Sequence, residues 1–148
     1  MKPVLAIDVG GVLASQQHDG IPQTGSQGAL WRLSYAYDLW IVSQCGQKRR
    51  LDTAIWLAEH DFPIPPERQI YVSFKETKIE PLHRIKAAYF IDDRMKHVKP
   101  ALMLPLIQRV FHYAADFDDL MTYPVEHPKY QRVLSWESIE NHLMRKSS

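Results

Sequence analysis

Asp8, Ser43 and the pair Asp92-Asp93 are the residues whose types and settings could do chemistry. Asp8 ends the apolar run Val4-Leu5-Ala6-Ile7, and Val9-Gly10-Gly11-Val12 follows at once. A carboxylate at the carboxyl end of a buried strand stands where open α/β sheets bind ligands. Gly10 and Gly11 let the chain turn sharply and let backbone groups approach a ligand closely. Asp92 and Asp93 follow a second apolar run, Ala87-Ala88-Tyr89-Phe90-Ile91. Adjacent acids there are costly unless something neutralises them, and a divalent cation does so well. A helix N-cap followed by a first-turn acid would explain one of the two, but less easily both. Ser43 closes a third run, Leu39-Trp40-Ile41-Val42.

The elements that must position these residues can be read from apolar spacing. Val4 to Ile7 is short and β-branched, as in a strand buried on both faces of a parallel sheet. Ala14 to Gly28 is rich in Gln, Gly and Ser, and Asp19-Gly20 in its middle signals a tight hairpin turn. That segment is expected to be a small flap beside Asp8 or an ordinary polar connection. A helix is expected over Ala29 to Tyr37, with Leu30, Leu33 and Tyr37 on one face. The strand ending at Ser43 comes next, then a helix over Gln47 to His60 with Leu51, Ala54, Ile55 and Ala58 as its core stripe. Lys48, Arg49 and Arg50 crowd its first turn, where the helix dipole disfavours cations. They form either a solvated face or an end that meets a phosphate near Ser43. Cys45 lies between, with no His nearby to make it a nucleophile.

Phe62-Pro63-Ile64-Pro65-Pro66 is a stiff link into a strand over Gln69 to Ser73. A short helix with Pro81 near its first turn follows, packing Leu82 and Ile85 inward. After Asp92-Asp93 the pattern predicts a helix over Met95 to Met103 and a strand over Ile107 to Phe111. Asp116, Asp118 and Asp119 lack EF-hand spacing and its Gly, and are read as surface. Tyr123 to Tyr130 reads as irregular, and Ser135 as the cap of a last helix that buries Trp136, Ile139 and Leu143. Strands alternate with helices throughout, which is the α/β three-layer pattern, here as one domain over 1–148. If the three chemical strands are parallel and adjacent, they deliver Asp8, Ser43 and Asp92 to one crevice.

Composition narrows the function classes. Of 148 residues, 45% are hydrophobic and 24% charged, as in an ordinary globular domain, and the net charge of +1 gives no global field for nucleic acid or membrane. No apolar run approaches the ~20 residues of a membrane span. The N-terminus carries no signal-peptide pattern, and the lone Cys45 allows no intrachain disulfide. Both suit a reducing cytoplasm.

The segment Leu5-Ala6-Ile7-Asp8-Val9-Gly10-Gly11-Val12 resembles the first signature of the haloacid dehalogenase superfamily, four apolar residues before Asp-x-Asp-Gly-Thr/Val. Ser43 resembles its second signature, and Tyr89-Phe90-Ile91-Asp92-Asp93-Arg94 its fourth, in the Asp-Asp form of deoxyribonucleotidase-like members. The third is a lone lysine shortly before the fourth, for which Lys78 is the first choice and Lys75 the alternative. The resemblance covers about residues 3–111. It implies a Rossmann-like fold and a magnesium-dependent phosphatase working through an aspartyl-phosphate. Asp8 would be the nucleophile. Asp8, Asp92 and the Gly10 carbonyl would hold Mg2+, with Asp93 as a direct or indirect helper. Ser43, Lys78 (or Lys75) and the Gly11 backbone would hold the phosphoryl group.

Gly10 departs from the pattern, since the usual second Asp protonates the leaving group and then activates water. Glycine keeps the carbonyl and loses the proton transfer, which is typically worth about 10²–10⁴-fold. The chain is therefore expected to use another acid, such as His18 or Asp19, or an acidic leaving group. Other chemistry on the aspartyl intermediate, or binding of phosphorylated partners without turnover, are the other readings. Neither gap that could hold a cap domain, Ala14 to Tyr37 or Gln44 to Phe74, has room for one. An open site favours a macromolecular phosphorylated substrate, or closure by a partner subunit as in a homodimer, and a small phosphomonoester remains in play. Trp31 and Tyr35 could stack a base, but at helical spacing they are read first as packing residues.

Overall fold

The computed structural model describes residues 1–15, 19–114 and 125–146. Among these residues six strands form one sheet in the order β3-β2-β1-β4-β5-β6, every neighbouring pair parallel. They are β1 (Val4–Ile7), β2 (Asp38–Gln44), β3 (Gln69–Val72), β4 (Ala87–Asp92), β5 (Arg109–Tyr113) and β6 (Tyr130–Val133). The α-helices among the described residues are α1 (Ser26–Leu33), α2 (Gln47–Glu59), α3 (Ile79–Arg84), α4 (Met95–Ala101) and α5 (Trp136–Lys146). This is the α/β Rossmann-like architecture expected from the alternation.

Both faces of the sheet are covered, which explains the unbroken apolar runs. Leu5 and Ile7 join Leu30 and Leu33 of α1, Leu57 of α2, and Trp136, Ile139 and Leu143 of α5 in one core. Ala6, Val42 and Phe90 face the other way, against Leu82 of α3 and Met95, Val98 and Ala101 of α4. All six residues of β4 are buried. The chain leaves β1 for β2 and β3 on one side, then returns to build β4, β5 and β6 on the other. The strand order therefore reverses between β1 and β4, and such a switch point opens a crevice at the carboxyl ends of the strands.

Several boundaries differ from the sequence reading. Helix α1 starts earlier and stops at Leu33, because the chain needs a turn before Asp38 opens β2. Trp31 and Tyr35 are not packed: they are 44% and 82% exposed. On α2 the expected stripe is rotated, with Leu51 and Ile55 exposed and Leu57 buried. The Trp56 indole decides this, stacking on Phe62 at 5.4 Å and donating its Nε1–H to the Gly20 carbonyl at 2.8 Å. Helix α4 ends at Ala101 with Pro100 in its last turn, and β5 begins two residues late. Strand β6 lies in a stretch read as irregular to Tyr130 and unassigned beyond it. Its four residues bury Val133 and show no alternation long enough to read. Ser135 caps α5 as expected, its Oγ accepting the Ser138 N–H at 3.1 Å. Asp116, Asp118 and Asp119 lie outside the described residues. No described helix is long and apolar enough to cross a membrane.

Candidate active site

The register of the sheet places the acids. Ile7 pairs with Ile41 on one side and Ile91 on the other, so Asp8 lies beside Asp92 and near Ser43. The Asp8 N–H donates to the Ile91 carbonyl at 3.0 Å, holding β1 to β4 up to the acidic residues themselves. Helix α3 starts one residue after Lys78, and this turns the lysine inward beneath both carboxylates. Its Nζ donates to Asp8 Oδ1 at 3.0 Å and to Asp92 Oδ2 at 2.6 Å. Lys78 is 2% exposed, whereas Lys75 is exposed in the preceding turn. Of the two lysines, only Lys78 reaches the acids.

Carboxylate oxygens of Asp8, Asp92 and Asp93 lie within 4.8 Å of one another. Asp92 Oδ1 accepts the Arg94 N–H at 3.0 Å. Asp93 Oδ1 is buried and has no hydrogen-bond partner among the described residues. Burial, then the Asp8 and Asp92 charges, push the Asp93 carboxyl up to about 9. Burial and the Asp92 charge also raise Asp8, against the pull of Lys78. Burial alone would lower Lys78, but its two acidic partners outweigh it and the ammonium is held above its usual range. The cluster thus carries more negative charge than one lysine balances, and Asp93 meets this by keeping a proton.

Gly11 adopts φ 77°, and a Cβ there would overlap the Asp93 carboxylate. This is the one position in the loop where glycine is required by both backbone and packing. Gly10 is different, since a Cβ built on it meets nothing within 4 Å.

Asp8 and Asp93 line a cleft of about 990 Å³, with Asp92 buried behind its wall. Ser43, Gly10, Gly11 and Lys78 are on its wall, and so is Cys45, whose thiol is raised by burial. The flap forms one side, with Ser15 donating its N–H to the Ile21 carbonyl at 2.8 Å and Ala14 bridged to Pro22. His18 lies outside the described residues, and Asp19 accepts the Ile21 N–H at 3.0 Å within the flap turn. Arg49 alone of the three first-turn cations of α2 lines the cleft, while Arg50 lies over the Tyr71 ring at 5.7 Å. Trp31 and Tyr35 lie away from the cleft wall, and Trp31 donates its indole N–H to the Asp61 carbonyl.

Sequence reasoning missed Trp56, Phe74, Arg94, Lys96 and His97, all on the cleft wall. The last three were accessible in principle, because the turn after β4 and the first turn of α4 must border whatever Asp92 and Asp93 bind. Burial, with Lys78 nearby, holds the His97 imidazole down to about 3, so it stays neutral.

No protein-family model matches the chain, and no curated protein matches it in sequence. Among solved structures, it is similar to a D,D-heptose 1,7-bisphosphate phosphatase from Burkholderia thailandensis, with a TM-score of 0.71 and 13% sequence identity. The match covers 97% of this chain and 99% of that one. At that identity the likeness is one of fold alone, and it agrees with the α/β Rossmann-like architecture anticipated from the sequence.

Proposed function

We propose that the chain is a phosphohydrolase of the haloacid dehalogenase type, acting through an aspartyl-phosphate on Asp8. The observation that carries this reading is the Lys78 ammonium held between Asp8 and Asp92 at the floor of the cleft. A carboxylate is a poor nucleophile toward an anionic phosphoryl group unless neighbouring positive charge offsets the repulsion. Lys78 fixes Asp8 in place and offers its charge to the incoming phosphoryl oxygens. Ser43 and the Gly11 backbone would hold those oxygens from the other side.

The residues present fit a magnesium ion. Three carboxylates in close reach, one with an orphaned buried oxygen, form a hard-oxygen donor set with surplus negative charge. Asp8, Asp92, Asp93 and the Gly10 carbonyl would hold it, and Asp93 would give up its proton on binding. When bound, the ion neutralises charge on the phosphoryl group. Asp8 Oδ then bonds to phosphorus as the ester bond breaks, and water later releases phosphate and restores the carboxylate. A phosphomonoester with an activated leaving group is the simplest test substrate.

The fold of a bisphosphate phosphatase supports the phosphohydrolase class. Gly10 favours a second reading, a domain that binds a phosphorylated partner with little turnover, because no side chain there can shuttle protons. Hydrolysis of p-nitrophenyl phosphate with and without magnesium separates the two. The enzyme reading expects magnesium-dependent turnover that Asp8→Asn abolishes. Absence of turnover, with magnesium still raising the melting temperature, would favour binding alone.

A further inference from the structure

The space beside Gly10 is open, and the cleft it belongs to holds three cations besides Lys78. A side chain at this position would project into free volume, yet the chain places none there. Arg49, Arg94 and Lys96 line the same cleft, and none has an ion-pair partner among the described residues. Outside the acidic triad, Asp52 is the carboxylate on the described wall. Unpaired cations in a cleft favour anions there. The cleft thus lacks an acid at position 10, and away from the Asp8, Asp92 and Asp93 cluster its wall sets three cations against the single carboxylate of Asp52.

An alcohol leaving group needs a proton, because an unassisted alkoxide is as poor a leaving group as hydroxide, with a conjugate-acid pKa of about 15.7. A departing phosphate that already carries an ester group or a proton on another oxygen does not, because the second ionisation of such a phosphate lies at about 6. What it needs is positive charge to receive it. We propose that the substrate is a phosphoanhydride, whose leaving group is itself a phosphate, such as pyrophosphate or a nucleoside diphosphate. This rests on the phosphohydrolase reading and narrows its substrate class.

In the first step Asp8 Oδ bonds to the terminal phosphorus. The bond to the bridging oxygen breaks, and its electron pair leaves with the second phosphate, received by Arg49, Arg94 and Lys96 without a proton. In the second step water bonds to the phosphorus and the bond to Asp8 breaks. Inorganic phosphate and the carboxylate are formed, and the surplus proton passes to phosphate or solvent.

The test compares kcat/KM for pyrophosphate, ADP, p-nitrophenyl phosphate and glycerol 2-phosphate in magnesium. The anhydrides should exceed the alkyl ester by about 10²–10⁴-fold, the usual worth of a positioned acid. Gly10→Asp should raise the alkyl rate and contract that ratio, and Arg49→Gln with Lys96→Gln should slow the anhydrides. An alkyl ester cleaved as fast as the anhydrides by the wild type would overturn the proposal, whatever the variants do. Turnover of p-nitrophenyl phosphate that requires Asp8, with the anhydrides untouched, would sink the anhydride proposal and leave the phosphohydrolase reading standing. If none of the four is cleaved, both fall.

Discussion

Lys78 Nζ and Asp92 Oδ2 meet at 2.6 Å in a site where the lysine is 2% exposed and the aspartate not at all. A buried ammonium and carboxylate each lose most of their hydration, and the pair holds only while both members remain. Asp8, the second partner of Lys78, depends on the same ammonium.

Lys78→Met should therefore destabilise the protein by about 3–5 kcal/mol, the usual penalty for an uncompensated buried charge. Combining it with Asp92→Asn should recover part of that loss. Chemical denaturation of the single and double variants measures this. Equal stability of wild type and Lys78→Met would show that the pair is not buried as described.

Asp93 gives the metal-free protein a pH dependence. Its carboxyl is raised from 3.8 to about 9 in the folded state. Between those values the folded chain holds a proton that the unfolded chain has lost, so this group makes stability fall as pH rises. Melting curves with a chelator should slope downward from about pH 4 toward pH 9 by this contribution, and Asp93→Asn should flatten it. Magnesium should stabilise more at pH 8 than at pH 6, because displacing the Asp93 proton costs less as pH rises toward 9. A slope unchanged in Asp93→Asn would remove the orphaned carboxyl from the account.

The two glycines after Asp8 should differ in tolerance. Gly10→Ala has free space and should change stability by less than about 0.5 kcal/mol. Gly11→Ala must hold a left-handed backbone and displace the Asp93 carboxylate. It should lose about 1–3 kcal/mol and weaken magnesium binding. Thermal melts with and without magnesium read both effects, and equal tolerance at the two positions would contradict the loop geometry.

Much of this site could be read from the chain because each acid closes an apolar run. A fully buried strand has little freedom in where it ends, so Asp8, Ser43 and Asp92 were fixed once their strands were recognised. Lys78 needed the resemblance, since an isolated lysine gives no local sign that it will be buried. The cleft wall was less accessible. Trp56 rotates α2 because of what its indole meets on the flap and at Phe62, contacts between segments distant in sequence. Strand β6 has four residues, and its pairing with β5 decides its structure more than its own composition does. Asp19 looked available as an acid, yet its carboxylate is used in the flap turn, a local competition typical of Asp-Gly segments.

The central claim is a covalent phosphoryl bond to Asp8. Gly10 supplies no base for the second half of the reaction, so release from Asp8 should be slow relative to its formation. The most direct measurement is rapid acid quench after mixing the protein with p-nitrophenyl phosphate and magnesium, followed by peptide mass spectrometry. The account predicts a burst of p-nitrophenol and a phosphoryl group on the peptide containing Asp8, absent in Asp8→Asn. Turnover without a burst and without phosphate on that peptide, or a phosphoryl group on another residue, would contradict it.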